Sequence, residues 1–471
     1  MSLPVLRIAV VGHTNTGKTS LLRTLTRDVR FGEVSLRPGT TRHVEATQLL
    51  VAGRPVAELY DTPGLEDSMA LMERLTGEGP APSTRSQWAE RIDAFLAGDE
   101  ARAGRFAQEA KALRQVRQHD VALYVIDARE PVLGKYRDEL ELLSHCGRPI
   151  VPVLNFVAGE ASREATWRRE LARLNLHAVA RFDTVAVDED SERHLFEKMR
   201  TLLDGHEATL TALIEDRQRQ RREVIDAAAR VIAELLIDAA AAAVRAPLDP
   251  PAAQRQAEQE LQQRMRERER ACQRQVMERF DFDPEDCRAE AAPLEAGRWQ
   301  GDLFGEEALR QAGYRGGGGA GAGAAMGLTL DVALGGLSLG TGTAVGALLG
   351  GALGAGSKQL RRLIDRVRGR AELRLADATL DMLARRQVEL VVRLLHRGHA
   401  DQKPVELPAS AAELAGVGQA RLPRPLRRAR EHASWSGLTH QRLVGDARRE
   451  QAVRELAEAI ARWVQPGKGG F

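Results

Sequence analysis

The feature that most constrains this chain is an apolar run, Val5 to Val11, that leads without a spacer into Gly12-His13-Thr14-Asn15-Thr16-Gly17-Lys18-Thr19-Ser20 and then into a helical pattern carrying Leu21, Leu22 and Leu25. A strand, a glycine loop and a helix in that order bring backbone N–H groups and the positive end of a helix dipole to one point, where phosphate binds. The spacing Gly12-x-x-x-x-Gly17-Lys18-Thr19 fits a triphosphate: the glycines let the loop close, Lys18 brings a cation to the β and γ oxygens, and Thr19 offers a hydroxyl to Mg²⁺. Asn15, Thr16 and Ser20 complete the expected lining. The apolar run is too short for a secretory signal and reads as a first strand, which argues against export and for a cytoplasmic protein.

Two further motifs follow at matching positions. Asp61-Thr62-Pro63-Gly64 falls at the end of the third predicted strand, where the carboxylate can hold Mg²⁺ through water and the Gly64 N–H can sense a γ-phosphate. Pro38-Gly39-Thr40-Thr41-Arg42-His43 lies between, on a loop where one threonine is expected to complete the metal shell. Together the three motifs resemble the Era and TrmE branch of bacterial GTPases, specifically over about residues 5 to 160. That resemblance implies GTP and GDP as ligands with Mg²⁺ held by Thr19, Thr41 and Asp61, Thr41 being the better match to the switch threonine. Lys18, Thr41 and Gly64 are then the groups expected to act at the γ-phosphate. It also implies that Asn15 helps to hold a monovalent cation, usually K⁺; a side chain that merely braces the loop is the alternative.

The chain departs from that pattern twice. Leu65 stands where Ras-like GTPases carry the glutamine that orients the attacking water, so slow intrinsic hydrolysis is expected. After the fifth strand the family's Asn-Lys-x-Asp becomes Asn155-Phe156-Val157-Ala158, which keeps the asparagine and loses the aspartate that reads guanine. The choice between guanine and adenine is left open. Glu160 or Asp183 are candidates to replace the lost carboxylate, and Phe156 is a candidate to stack on the base. Asp127 reads as a structural carboxylate.

At 471 residues the chain is long enough for two to four domains, at about 100 to 200 residues each. Residues 1–204 alternate short β-branched runs with amphipathic stretches and predict a doubly wound, mostly parallel α/β fold. Its strands are expected at 5–11, 44–51, 55–60, 121–126, 150–154 and 178–187, with a hairpin at Gly53-Arg54 and a helical insertion at 65–119. The remainder reads as mainly α-helical. A stalk or bundle is expected over 205–315, its first helix part of a pattern running from 190 to Pro247. A glycine-rich segment covers 316–357, and a C-terminal helical region covers 358–471, with a helix at 358–397, a proline-containing linker at 404–426 and a last helix at 448–464.

Within the 42 residues of 316–357 the only charge is Asp331, and glycines recur every four residues at 342, 346, 350 and 354. Two readings stay open: a re-entrant hairpin or single span contacting the inner face of a membrane, or a packed helical pair in solution. A net charge of +2, from 68 basic and 66 acidic residues, argues against general polyanion binding and leaves nucleic acid as an unfavoured partner. The leading expectation is a GTP-hydrolysing conformational switch at a membrane. Its rivals are a ribosome- or RNA-associated assembly GTPase and a membrane-remodelling protein whose nucleotide domain controls homo-oligomerisation.

Overall fold

The computed structural model describes residues 3–27, 45–77, 82–159, 161–184, 190–247, 251–282, 328–330, 370–397, 422–439 and 445–464. The chain divides into two compact units, Met1–Arg222 with Leu395–Lys403, and Glu223–Leu394 with Pro404–Phe471.

The first unit is built on a six-stranded sheet of order β2-β3-β1-β4-β5-β6. Its strands are β1 (Leu6–Val11), β2 (Glu45–Val51), β3 (Arg54–Asp61), β4 (Val121–Asp127), β5 (Ile150–Asn155) and β6 (Ala180–Arg181). All neighbours pair in parallel except β2, which joins β3 antiparallel through the expected hairpin, where Gly53 takes φ 76°. β4 and β5 are buried along their whole length because helices cover both faces. Alternate side chains feed two cores. Ile8, Val10, Leu123 and Val125 pack with Leu21, Leu22 and Leu25 of α1 (Lys18–Thr26), while Ala9, Val11, Tyr124 and Ile126 face the other layer.

That other layer includes the insertion, which folds as α2 (Ser68–Thr76), α3 (Arg85–Ala97), α4 (Glu100–Ala103) and α5 (Ala107–Gln118). Thr84 caps α3 reciprocally with Gln87, a capping box that fixes where the helix starts. α6 (Gly134–Ser144), α7 (Glu164–Arg173) and α8 (Ser191–Arg200) complete the crossovers. Only two residues of the sixth predicted strand are strand in the described part.

The helical pattern read from 190 to Pro247 is not one helix. α8 ends at Arg200, a short 3-10 turn follows, and α9 (Glu207–Ala241) stops before a strand, β7 (Val244–Pro247). β7 pairs antiparallel with β9 (Arg370–Leu375), and β8 (Leu328–Leu330) pairs with the other edge of β9. The helix expected over 358–397 is thus corrected: strand occupies 370–375, and α11 (Asp377–His396) begins only after it. The end of the proline-containing linker expected at 404–426 is corrected as well. Arg424–Glu431 forms a helix, α12, opened by Pro425 in its first turn, with Leu426 and Ala429 buried. Arg428 pairs with Glu455, and Arg430 reaches the Leu375 carbonyl and Asp377. α13 (Ala447–Val464) matches the expected last helix. Apart from β8, the glycine-rich segment 316–357 lies outside the described residues, and no described helix is long and apolar enough to cross a membrane.

The second unit, mainly helical with α10 (Pro251–Arg279), is tied together by a buried charge. Asp238 of α9, 2% exposed, accepts from Arg449 Nη2 at 2.9 Å, from Arg268 Nε at 3.1 Å and from the Gly437 N–H at 3.3 Å. Ser436 Oγ donates to the Asp238 carbonyl at 2.8 Å, and Arg449 Nε donates to the Trp435 carbonyl at 3.0 Å. One carboxylate therefore joins α9, α10, the turn before α13 and α13 itself. Cys146 and Cys272 are buried free thiols, each pushed up to about 12 by desolvation.

Candidate functional site

The C-terminal end of β1 delivers Gly12, and the start of α1 delivers Lys18, so the loop between them closes over one end of the sheet. Gly12 (φ 146°) and Gly17 (φ 94°) both occupy backbone conformations that favour glycine. Lys18, 7% exposed, donates to the carbonyls of Gly12 at 3.1 Å and His13 at 2.8 Å. Burial draws its ammonium below the ordinary lysine range, opposed by the negative fields of Asp61, Glu139 and Glu66. A phosphate would supply the charge that this desolvated cation lacks.

Thr19 and Asp61, 42 residues apart, come together at the ends of α1 and β3, the Thr19 hydroxyl donating to Asp61 Oδ2 at 2.6 Å. Two hard oxygen donors beside a buried lysine fit Mg²⁺, which keeps water and phosphate oxygens in its other positions. Gly64 packs on the loop: a Cβ there would stand 2.4 Å from Thr14 Oγ1 and 2.9 Å from the Thr14 backbone N and Cα. Gly64→Ala must displace that backbone, and we expect it to slow GTP hydrolysis about tenfold or more while GDP binding persists. Unchanged single-turnover hydrolysis would show that this close approach is dispensable.

Thr16 is buried; its hydroxyl donates to the His13 carbonyl at 3.0 Å and its own carbonyl accepts from Asn155 Nδ2 at 3.0 Å. Asn15 is exposed at φ 65°, a left-handed conformation that asparagine tolerates better than most residues, and Ser20 sits half-buried in the first turn of α1. Thr41 and its neighbours at 28–44, and Glu160, lie outside the described residues. Asp183 is buried and accepts from the Ala158 N–H at 3.0 Å. Asp127 holds Arg129 at 2.9 and 2.7 Å. Leu65 is fully buried in the core, its N–H on the Gly12 carbonyl at 3.3 Å, so its side chain cannot orient a water.

Sequence reasoning missed a second circle of residues. Glu139 of α6, fully buried, accepts from Tyr124 OH at 2.6 Å and bonds His13 Nδ1 at 2.7 Å, while Lys135 Nζ lies 2.9 Å from His13 Nε2. Glu109 of α5, 3% exposed, accepts the backbone N–H groups of Glu66 at 3.3 Å and Asp67 at 3.0 Å, and Arg105 pairs with Asp67. The insertion thereby grips the residues that follow Asp-Thr-Pro-Gly. Thr14 adds a hydroxyl donated to Glu66 Oε1 at 3.0 Å. Glu139 lies 126 residues from His13, and Glu109 lies 43 and 42 residues from Glu66 and Asp67, beyond any local pattern.

Residues 7–156 match a family model described as 50S ribosome-binding GTPase, and residues 168–458, more than half of the chain, match that of a domain of unknown function, DUF3482. Among curated proteins the chain is 43% identical over 70 residues to the tRNA modification GTPase MnmE of Picosynechococcus sp., covering 15% of each chain. It is 35% identical over 137 residues to the MnmE of Synechococcus elongatus, covering 29% of this chain and 28% of that one. It is 24% identical over 161 residues to the GTPase Der of Nitratiruptor sp., covering 34% and 27%. The chain thus spans less than a third of these relatives' length. A solved structure of Era with MgGDPNP and nucleotides 1506–1542 of 16S ribosomal RNA matches at 17% identity and a TM-score of 0.29, covering 43% of this chain and 57% of that one. With an N-terminal P-loop GTPase domain similar in sequence to part of MnmE, followed by a distinct, largely helical domain, the chain belongs to the DUF3482 family.

Proposed function

We propose that this protein is a GTP-driven switch whose hydrolysis alters the contacts of its C-terminal domain with an RNA-containing assembly in the cytoplasm. The observation that carries the reading is the meeting of Lys18, Thr19 and Asp61 at one end of the sheet, with Thr19 and Asp61 only 2.6 Å apart. Lys18 neutralises charge at the β and γ oxygens, Gly64 presents its N–H to the γ-phosphate, Thr19 and Asp61 hold the metal, and Thr41 adds the third metal contact. Bound Mg²⁺ would draw negative charge from the phosphate oxygens. Asn15 would place K⁺ beside them. Because Leu65 is locked in the core, turnover stays slow until a cation or a partner completes the site.

The match of residues 7–156 to a ribosome-binding GTPase model, and the tRNA modification GTPases among the relatives, support an RNA-containing partner. The sequence at 316–357, whose single charge is Asp331, supports a second reading, contact with a membrane. Sedimentation with ribosomal particles, with a non-hydrolysable GTP analogue or with GDP, tests the first. The expected result is analogue-dependent pelleting that weakens as salt rises. No pelleting at low salt, with flotation on anionic liposomes instead, would overturn the RNA reading in favour of the membrane.

A further inference from the structure

The family's base-reading aspartate is missing, yet the asparagine that opens the motif is firmly held. Asn155 is fully buried, and its Oδ1 accepts from the Phe156 N–H at 2.9 Å, the Thr184 N–H at 3.0 Å and Thr184 Oγ1 at 3.1 Å. Its Nδ2 is tied to the Thr16 carbonyl. The next residue, Phe156, takes φ 55°, a left-handed conformation costly for any side chain with a Cβ. This turns Phe156 out of the strand. It belongs to neither core, whereas Val157 packs against one. The ring instead meets the phosphate loop: a Cβ on Gly17 would stand 3.4 Å from Phe156 Cζ.

One face of that ring is covered. The Arg129 guanidinium lies 4.1 Å from the ring centroid, and Arg129 is itself clamped by Asp127. Phe156 is nonetheless only partly buried. A half-exposed aromatic, fixed in a strained backbone beside a phosphate loop and backed by a cation, is built to receive another flat group.

We propose that Phe156 is the platform on which the purine base of the nucleotide stacks, sandwiched between the base and Arg129. The proposal rests on residues 12–20 binding a nucleoside triphosphate. Stacking accepts any purine because every base presents a π face, so Phe156 supplies affinity, and base identity is read elsewhere.

Calorimetry with GTP and with ATP, in Mg²⁺, on the full chain and on Phe156→Ala, Phe156→Trp and Lys18→Ala variants tests it. Phe156→Ala is expected to weaken both nucleotides by the same factor, about ten- to a hundredfold. Phe156→Trp is expected to keep wild-type affinity and to add a tryptophan emission that nucleotide quenches, a readout independent of how well the alanine variant folds. If the wild type binds and Lys18→Ala abolishes binding, but Phe156→Ala stays within about twofold of wild type, the platform alone is overturned. Loss of one nucleotide but not the other would equally overturn it, since it would make the ring an edge reader. Wild-type protein that binds neither nucleotide, or binds regardless of Lys18, overturns the nucleotide site itself and the platform with it.

Discussion

Lys18→Ala is expected to weaken GTP binding by about a hundredfold or more, because hydrogen bonds to charged groups contribute about 1.5–3 kcal/mol each and the lysine serves two phosphates. The fold should survive the change, since among the described residues the ammonium donates only to the Gly12 and His13 carbonyls, at the loop's own edge. Calorimetric titration with GTP, paired with a thermal melt, separates the outcomes. Wild-type affinity in a folded variant would mean that triphosphate binds without the loop.

The second large effect is expected far from the nucleotide. Asp238 compensates Arg449, which is 5% exposed, in a place where water cannot, and also pairs with the partly exposed Arg268. Asp238→Ala leaves the buried Arg449 guanidinium without its carboxylate, and breaking a buried pair by removing one partner costs about 3–5 kcal/mol. Urea unfolding of the full chain should show the transition of the second unit shifted to lower denaturant, with GTP affinity intact. Replacing all three charged groups by apolar residues of similar volume should restore much of the loss, because such a swap is often neutral or stabilising. A transition unmoved by Asp238→Ala would show that the arginines find other partners.

How far the sequence could be read depended on the range of the interactions. The phosphate loop was legible because strand, glycines, lysine and helix follow one another within 20 residues and each has a local reason to be there. Asp61 was legible through its four-residue motif. The hairpin at Gly53 and the helix from 447 followed from turn chemistry and periodicity. The three-stranded sheet of the second unit had no such signal. Its central strand, Arg-Ala-Glu-Leu-Arg-Leu, is made of good helix formers, and only pairing with Val244–Pro247 on one side and Leu328–Leu330 on the other makes it extended. Tertiary pairing there overrode local preference. His13 with Glu139, and Glu109 with Glu66 and Asp67, escaped for the same reason, since nothing in a single sequence records which distant carboxylate folds back onto a loop. Phe156 was visible as a departure from pattern, but its left-handed backbone and its Arg129 backing were not.

Glu109's hold on the two residues after Leu65 has a consequence for the timing of any cycle. A carboxylate only 3% exposed that accepts two backbone N–H groups cannot give them up cheaply, since each one lost removes part of the compensation of a buried charge. Displacing that segment is therefore costly unless another donor replaces those N–H groups. A cycle that moves this segment has its rate set by the helix of the insertion as well as by the nucleotide, so the identity of residue 109, more than forty positions from Asp61, tunes that rate without touching the phosphate chemistry.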